Sequence, residues 1–433
     1  MIIRKEIMHI ALPAVASNIS TPLLGLVDTA VTGHLGSAVY IGAIALGGTV
    51  FNMLYWLFSF LRMGTSGVTA QAHGSGDIAE ADRTLYRGVL IACCGGIILI
   101  AAGYAAVRPI LRFMDADAAT ASEATEYIRI CLWGAPAVLA TYVFTGWSVG
   151  RQNTRIPLTT AIVINCVNIA VSIGLVYGCG WKTAGVATGT LVAQWMGCLC
   201  SFILLRRHYH PQHISPEKLM ERGALKRFFG INVNIFLRTL CLIAVTVWFT
   251  HTGAINGTDV LAANAILLQL FLFFSYFTDG FAYAGEALAG KYYGASDYSS
   301  LHRVVLALML TGAILAGVFS VVYAFTGEYI LRLLTDSHNV LDVSVRYLPW
   351  AVVIPIAGFS AFMWDGIYIG LTRTRYLLYS MGGAMVIFFS VLAVAPAASA
   401  NHGLWLAFTC YLGSRGVIEW CLWKRATIRP TLT

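Results

Sequence analysis

The sequence predicts an all-α integral membrane protein with twelve transmembrane helices in two six-helix bundles. Three observations predict it. Of 433 residues, 58% are hydrophobic and only 11% charged, with a mean hydropathy of +0.73. A soluble domain carries roughly 25% charged residues, so this chain cannot cover a water-facing surface and must be solvated by lipid. Apolar runs of about 20 residues recur from end to end, each long enough to cross a bilayer as a helix. Backbone in hydrocarbon must satisfy its own hydrogen bonds, and runs of this length rule out barrel strands. Finally, the chain repeats itself at a constant offset of 220 residues.

Breaks at Gly, Pro, Asn and charge clusters place the spans near 8–35, 39–70, 84–107, 125–150, 156–178, 184–206, 226–252, 259–290, 301–325, 343–370, 376–396 and 403–424. The start, "MIIRKEIMHIALP", has a short basic head. The apolar run behind it is long and lacks a small-residue cleavage site, so it reads as the first membrane helix and not as a signal peptide. The ten cysteines lie in or beside apolar runs without histidine partners. They read as small lipid-compatible residues, with no metal site and no disulfide framework.

Charge sets the expected orientation. The amino terminus, the loops after even-numbered spans and the carboxy terminus hold 19 of the 28 Lys and Arg. The opposite face holds 6: Arg108, Arg112, Arg129, Lys182, Arg332 and Arg346. Arg62, Arg238 and Arg415 fall inside spans. This bias puts both termini in the cytoplasm. It also accounts for the net charge of +8 without nucleic acid.

The repeat is legible in short blocks. "GWSVGRQNTR" at 146–155 returns as "GIYIGLTRTR" at 366–375, "HGSGD" at 73–77 as "YGASD" at 293–297, and "ILR" at 110–112 as "ILR" at 330–332. The expected domains are an N-lobe at 1–206, a polar linker at 207–225 and a C-lobe at 226–433. An even helix count gives both lobes the same orientation, related by a pseudo-two-fold axis along the membrane normal, an architecture of transporters. The repeat is also an internal control. Asp28, Asp279 and Glu286 fall opposite Trp248, Ser59 and Ser66, while Arg238 falls opposite Asn18. The shared scaffold therefore does not require these charges.

Asp28 is the lone acid of "SNISTPLLGLVDTAVTGHLG". A carboxylate at mid-helix costs at least about 2.5–3.5 kcal/mol on insertion scales, and intramembrane acids are functional by default. Snorkelling to the outer headgroups is the alternative, since Asp28 lies about 30 Å up its helix. Pro22, one and a half turns before it, has no N–H for the carbonyl of Asn18 and is a candidate hinge. Asn165, Asn168 and Ser172 share one helical stripe, and Thr190 and Gln194 another; each could face a polar pocket or make ordinary interhelical hydrogen bonds. In the other lobe, Tyr276, Asp279, Tyr283 and Glu286 form a stripe, Arg238 sits mid-span, and Asp365 and Tyr368 lie one turn apart. These form either a polar cavity wall or a packing pair between Arg238 and the acids of the stripe. Asp365, close to Arg373 and Arg375, also suits a role at the cytoplasmic edge.

At these residues the chain resembles the multidrug and toxic compound extrusion (MATE) family. The resemblance covers nearly the whole chain. "LVDTAVTGHLG" at 26–36 carries it, and "FLRMGTSGVTAQAHG" at 60–74, "FLRTLCL" at 236–242, "DGFAYAGEALAGKYYGA" at 279–295 and "WDGIYIG" at 364–370 point to its DinF-like branch. The resemblance implies a secondary active antiporter that exports amphipathic, often cationic compounds from the cell across the inner membrane. It makes Asp28 the ion-coupling aspartate of the first helix and matches Asn168 and Thr190 to family polar positions. Two departures stand out. Ser172 occupies a position where many relatives have Asp, and the seventh span offers Asn232, Asn234 and Arg238 in place of an acid. Hard cations want several oxygen ligands, so protons are favoured over sodium as the coupling ion. No other cofactor and no metal is expected, and a monomer is. The alternative within the superfamily is a flippase for lipids or lipid-linked precursors, which would need a strongly cationic cavity; the charges inside the spans are nearly balanced. An enzyme is disfavoured, because there is no metal-ligand cluster, no HExxH and no GxSxG.

Overall fold

The computed structural model describes residues 2–33, 37–114, 117–211, 221–394 and 400–427, and among these every regular element is helical. The first half holds α1 (Ile2–Gly33), α2 (Ala38–Leu57), α3 (Phe60–Ser75), α4 (Ile78–Phe113), α5 (Ala118–Leu132), α6 (Ala135–Gly150), α7 (Arg155–Ile173) with a π-helical turn (Gly174–Gly178), and α8 (Thr183–Tyr209). The second holds α9 (Arg222–Ile255), α10 (Thr258–Gly294), α11 (Tyr298–Leu334), α12 (His338–Gly370), α13 (Thr374–Val394) and α14 (Ala400–Thr427). Residues 212–220 of the expected linker lie outside the described residues.

These helices make twelve spans, because two expected spans are each broken in two. The span at 39–70 divides between α2 and α3, where Ser59 N–H donates to the Trp56 carbonyl and Arg62 N–H to that of Ser59, a tightened three-residue ladder. The span at 125–150 divides between α5 and α6 with a bend of 51°. Pro136, in the first turn of α6, has no N–H to offer the carbonyl of Leu132, so the α5 ladder cannot run through. Among the described residues nine helices are long and apolar enough to cross a membrane, ten counting the bent pair. The helices α1 and α14 complete the twelve.

The repeat written in the sequence recurs in backbone geometry. Asp77 caps α4 and Asp297 caps α11, each carboxylate accepting an N–H three residues on at 2.9 Å. The Ser300 hydroxyl and N–H hold the Asp297 carboxyl below the ordinary carboxylate range. Left-handed residues recur at Gly76 (φ 77°) and Ser296 (φ 61°), and at Gln152 (φ 63°) and Thr372 (φ 54°). Helix crossings recur as well. A Cβ on Gly146 would fall 2.2 Å from the Arg62 carbonyl oxygen, and one on Gly366 would fall 2.2 Å from that of Ala282. Each of these pairs is separated by 220 residues. Bare backbone at these crossings brings α3 onto α6 and α10 onto α12, the close approach that small residues permit in membranes.

The fold has two compact units, Ala16–Lys226 and Met1–Val15 with Arg227–Thr433. The lobes drawn on the sequence therefore differ from the fold at the first fifteen residues. Their physical tie is to α10. A Cβ on Gly280 would meet the Val15 nitrogen at 2.7 Å, Tyr292 donates its hydroxyl to Glu6 at 2.9 Å, and Lys291 pairs with Glu6 at 3.6 Å. The Ala16–Lys226 unit has one apolar cluster around Val31, Ile44, Tyr127 and Val186 and another around Leu61, Leu139 and Trp147. Trp147 is fully buried and donates to the Ala81 carbonyl at 2.8 Å. The other unit has an aromatic core of Phe249, Phe274, Phe319, Phe388 and Trp405, in which Trp405 donates to Asn264 Oδ1 at 2.9 Å. Large apolar side chains outside the cores, such as Leu306, Phe325 and Leu333, are exposed. In a membrane their solvent is lipid.

Candidate functional site

Four residues expected in the first lobe converge. Asp28 on α1, Asn168 and Ser172 on α7 and Thr190 on α8 are all buried. Thr190 Oγ1 donates to Asp28 Oδ2 over 3.4 Å, and Asn168 Nδ2 donates to Thr190 Oγ1 at 3.0 Å. Among the described residues, Asp28 Oδ1, Asn168 Oδ1 and Ser172 Oγ have no hydrogen-bond partner. A buried polar atom left without a partner costs about 1–3 kcal/mol. A carboxylate joined through Thr190 to Asn168, with oxygens to spare, is suited to take up a proton or a small cation. The π-helical turn starts two residues after Ser172, as such turns often do beside functional groups. A Cβ on Gly189 would fall 2.1 Å from Ser172 Oγ, so a glycine is required for α8 to approach there. Tyr127 and Cys131, members of the apolar cluster with Val31, Val186 and Ala187, lie near Asp28.

The segment of α1 around Pro22 is tied to α7 on both sides. Asn165 Nδ2 donates to the Ser20 carbonyl at 3.0 Å, two residues before the proline. Tyr177, in the π turn, donates its hydroxyl to the Val31 carbonyl over 3.4 Å. Asn165 therefore serves α1's backbone while Asn168, one turn on, serves the cluster. Gln194 does not join it; its Oε1 lies against Gly134 at the bend between α5 and α6.

The second unit holds a charge network with different wiring from that expected. Arg238 on α9 pairs with Asp365 on α12, not with Asp279 or Glu286. The same oxygen, Asp365 Oδ2, accepts Arg415 of α14 at 2.6 Å. Glu419, one turn beyond Arg415, is fully buried; its Oε1 accepts the Ser380 hydroxyl at 2.7 Å, and its carbonyl accepts the Tyr368 hydroxyl at 2.6 Å. Two guanidiniums and two carboxyls thus join α9, α12, α13 and α14. Glu286 is buried where α10 crosses α12, its carbonyl 2.5 Å from where a Cβ on Gly370 would stand, and Asp279 and Tyr283 are half-buried on α10. Glu419 was missed, and Arg415 was read as a charge inside a span but not assigned to this network. Their signal was an i, i+4 charged pair in an otherwise uncharged stretch of the last span.

The comparisons agree with this architecture. The MatE family model matches residues 13–173 and again 231–394, so the family's unit is present twice. The chain is 38% identical over 423 residues to DNA damage-inducible protein F of Escherichia coli, covering 97% of this chain and 92% of that protein. It is 24% identical over 364 residues to the probable multidrug resistance protein NorM of Thermotoga maritima, covering 79% and 74%. The crystal structure of MATE in the bent conformation superposes with a TM-score of 0.89 at 18% identity, covering 98% of this chain and 95% of that one. The chain belongs to the MATE family of multidrug efflux transporters. It is a multi-pass membrane transporter and not an enzyme.

Proposed function

We propose that the protein is a proton-coupled antiporter that exports amphipathic, often cationic small molecules across the inner membrane, with Asp28 as the group that binds and releases the proton. The observation that carries this reading is the buried Asp28 carboxyl with Oδ1 unpartnered beside two further unpartnered oxygens. Protonation removes a buried charge and turns a carboxyl oxygen into a donor, for which Asn168 Oδ1 is the acceptor at hand. One carboxylate among neutral oxygens suits a proton better than sodium, which calls for more oxygen charge. Both termini face the cytoplasm, the chain works as a monomer, and no cofactor besides the coupling ion takes part.

Magnitudes decide how far one proton can go. Neutralising an intramembrane carboxylate is worth about 2.5–3.5 kcal/mol on insertion scales. Moving a two-state equilibrium from 1:99 to 99:1 takes about 5.5 kcal/mol. A proton therefore brings the two states to rough parity, and substrate supplies the rest, which is the dependence antiport requires. Pro22 lies between the Ser20 carbonyl held by Asn165 and Asp28, so α1 is weakest where the two states would differ. Transport in proteoliposomes with pH and sodium gradients imposed separately tests the reading. Export driven by sodium alone would overturn proton coupling.

A further inference from the structure

A cavity of about 580 Å³ lies between the far end of α4 and α5, with none of Asp28, Asn168, Ser172 or Thr190 in its lining. That volume is within the usual range for small-ligand sites. Arg108, Arg112 and Arg129 line it, against one carboxylate, Glu126. None of the three arginines has an ion-pair partner among the described residues. Arg108 and Arg112 are one helical turn apart on the same helix, where like charges repel. Arg129 is half-buried, its Nε lacks a hydrogen-bond acceptor, and its guanidinium stands 5.7 Å from the centroid of Tyr104. Asp117, near the mouth, is engaged in capping α5 through the N–H groups of Ala119 and Thr120; Asp115 lies outside the described residues. The lining is thus positively charged and short of acceptors.

Depth narrows the ligand. Residues 88–107 of α4 form an uncharged stretch between Arg87 and Arg108. Twenty helical residues span about 30 Å, the thickness of the hydrocarbon core. Arg108 therefore sits at the bilayer surface opposite Arg87. Tyr104 and Trp133 agree, since both are exposed, their polar tips are joined at 3.1 Å, and Trp195 donates to the Trp133 carbonyl at 3.1 Å. Such aromatic groups mark the interface. A cationic, acceptor-poor cavity at that level meets phosphodiester groups.

We propose that this cavity binds the phosphate headgroup of an anionic phospholipid of the outer leaflet. Planar guanidiniums on two helices clamp the phosphate oxygens in forked geometry, and the Ser122 hydroxyl adds a donor. The bound headgroup bridges α4 to α5, across the segment that leads into the bend before α6.

The test uses the full chain in detergent, with phosphatidylglycerol, phosphatidylcholine and inorganic phosphate as separate probes. Native mass spectrometry reads retained lipid and thermal unfolding reads stabilisation. Phosphatidylglycerol is expected to stay bound and raise Tm more than phosphatidylcholine. Arg108→Gln with Arg112→Gln should weaken its retention about tenfold per arginine removed, while the corresponding lysine changes, which keep the charge but lose the fork, should weaken it less. Both side chains are exposed, so the lipid-free Tm should not move. Arg129→Gln is the independent second variant and should weaken retention similarly. Unchanged retention in the glutamine variants would overturn the proposal. Equal stabilisation by phosphatidylcholine would overturn the anionic preference, and equal stabilisation by inorganic phosphate would reassign the cavity to a free anion.

Discussion

Replacing Asp365 by Asn removes the carboxylate that two buried arginines share. Their side chains are 8% and 3% exposed in the pairs they make with it. Among the described residues neither has another carboxylate as ion-pair partner, so Asp365→Asn leaves two buried guanidiniums without a paired counter-charge. Breaking a buried pair by removing one member costs about 3–5 kcal/mol. For a unit of about 200 residues, 1 kcal/mol moves Tm by roughly 2–4 °C, so a loss on the order of 10 °C is expected in detergent. Adding Arg238→Met to Asp365→Asn deletes one of the two orphaned cations. The double variant should recover more than half of the loss, an interaction energy of about 1–3 kcal/mol in a double-mutant cycle. Arg238→Met combined with Asp279→Asn should be additive, since those two are not paired. Strict additivity of Arg238→Met with Asp365→Asn, or a wild-type Tm for Asp365→Asn, would refute the assigned network.

The backbone crossings predict that Gly146→Ala and Gly366→Ala each cost about 1–3 kcal/mol by overpacking, because each new Cβ would stand 2.2 Å from a main-chain oxygen. Similar losses of Tm for the two are expected from the repeat, and a neutral effect of either would contradict the crossing geometry. Asp297→Ala tests the cap of α11. The carboxyl is held below its ordinary range, so its contribution is complete above the unfolded pKa of about 3.9 and is lost as pH falls through the lower folded value. The Tm gap between wild type and variant should be full at neutral pH and close below about pH 4; a pH-independent gap would count against the cap. Pro22→Ala should slow export while leaving proton binding intact, since it restores an N–H for the Asn18 carbonyl; wild-type export kinetics would exclude the hinge.

The spans were legible because lipid demands long apolar runs, and the repeat was legible because turns and crossings constrain residue type. Asp77 and Asp297 cap helices, and Gly146 and Gly366 are crossings where only glycine fits. The polar stripe of Asn168 and Ser172 was legible from the helical period, whereas the link of Asn168 through Thr190 to Asp28 joins three helices that no single period relates. What a single helix cannot reveal is which of several neighbours a long side chain will choose. Arg238 had acids on two spans within plausible reach, and only packing selects Asp365. Asn165 and Asn168 share a stripe yet serve different groups, because one meets a main-chain carbonyl and the other a side chain. The break between α2 and α3 left no proline or glycine signal at Phe58–Ser59. The grouping of Met1–Val15 with α10 depends on Gly280 meeting Val15, a long-range contact with no local pattern.

The central claim is that proton exchange at Asp28 drives export, and the most direct measurement is dye or drug export in proteoliposomes carrying Asp28→Asn beside wild type. With an imposed proton gradient and no sodium, wild type should export and Asp28→Asn should not, while the variant keeps a folded, monodisperse profile in detergent. Export by Asp28→Asn at the wild-type rate under the same gradient would contradict the account.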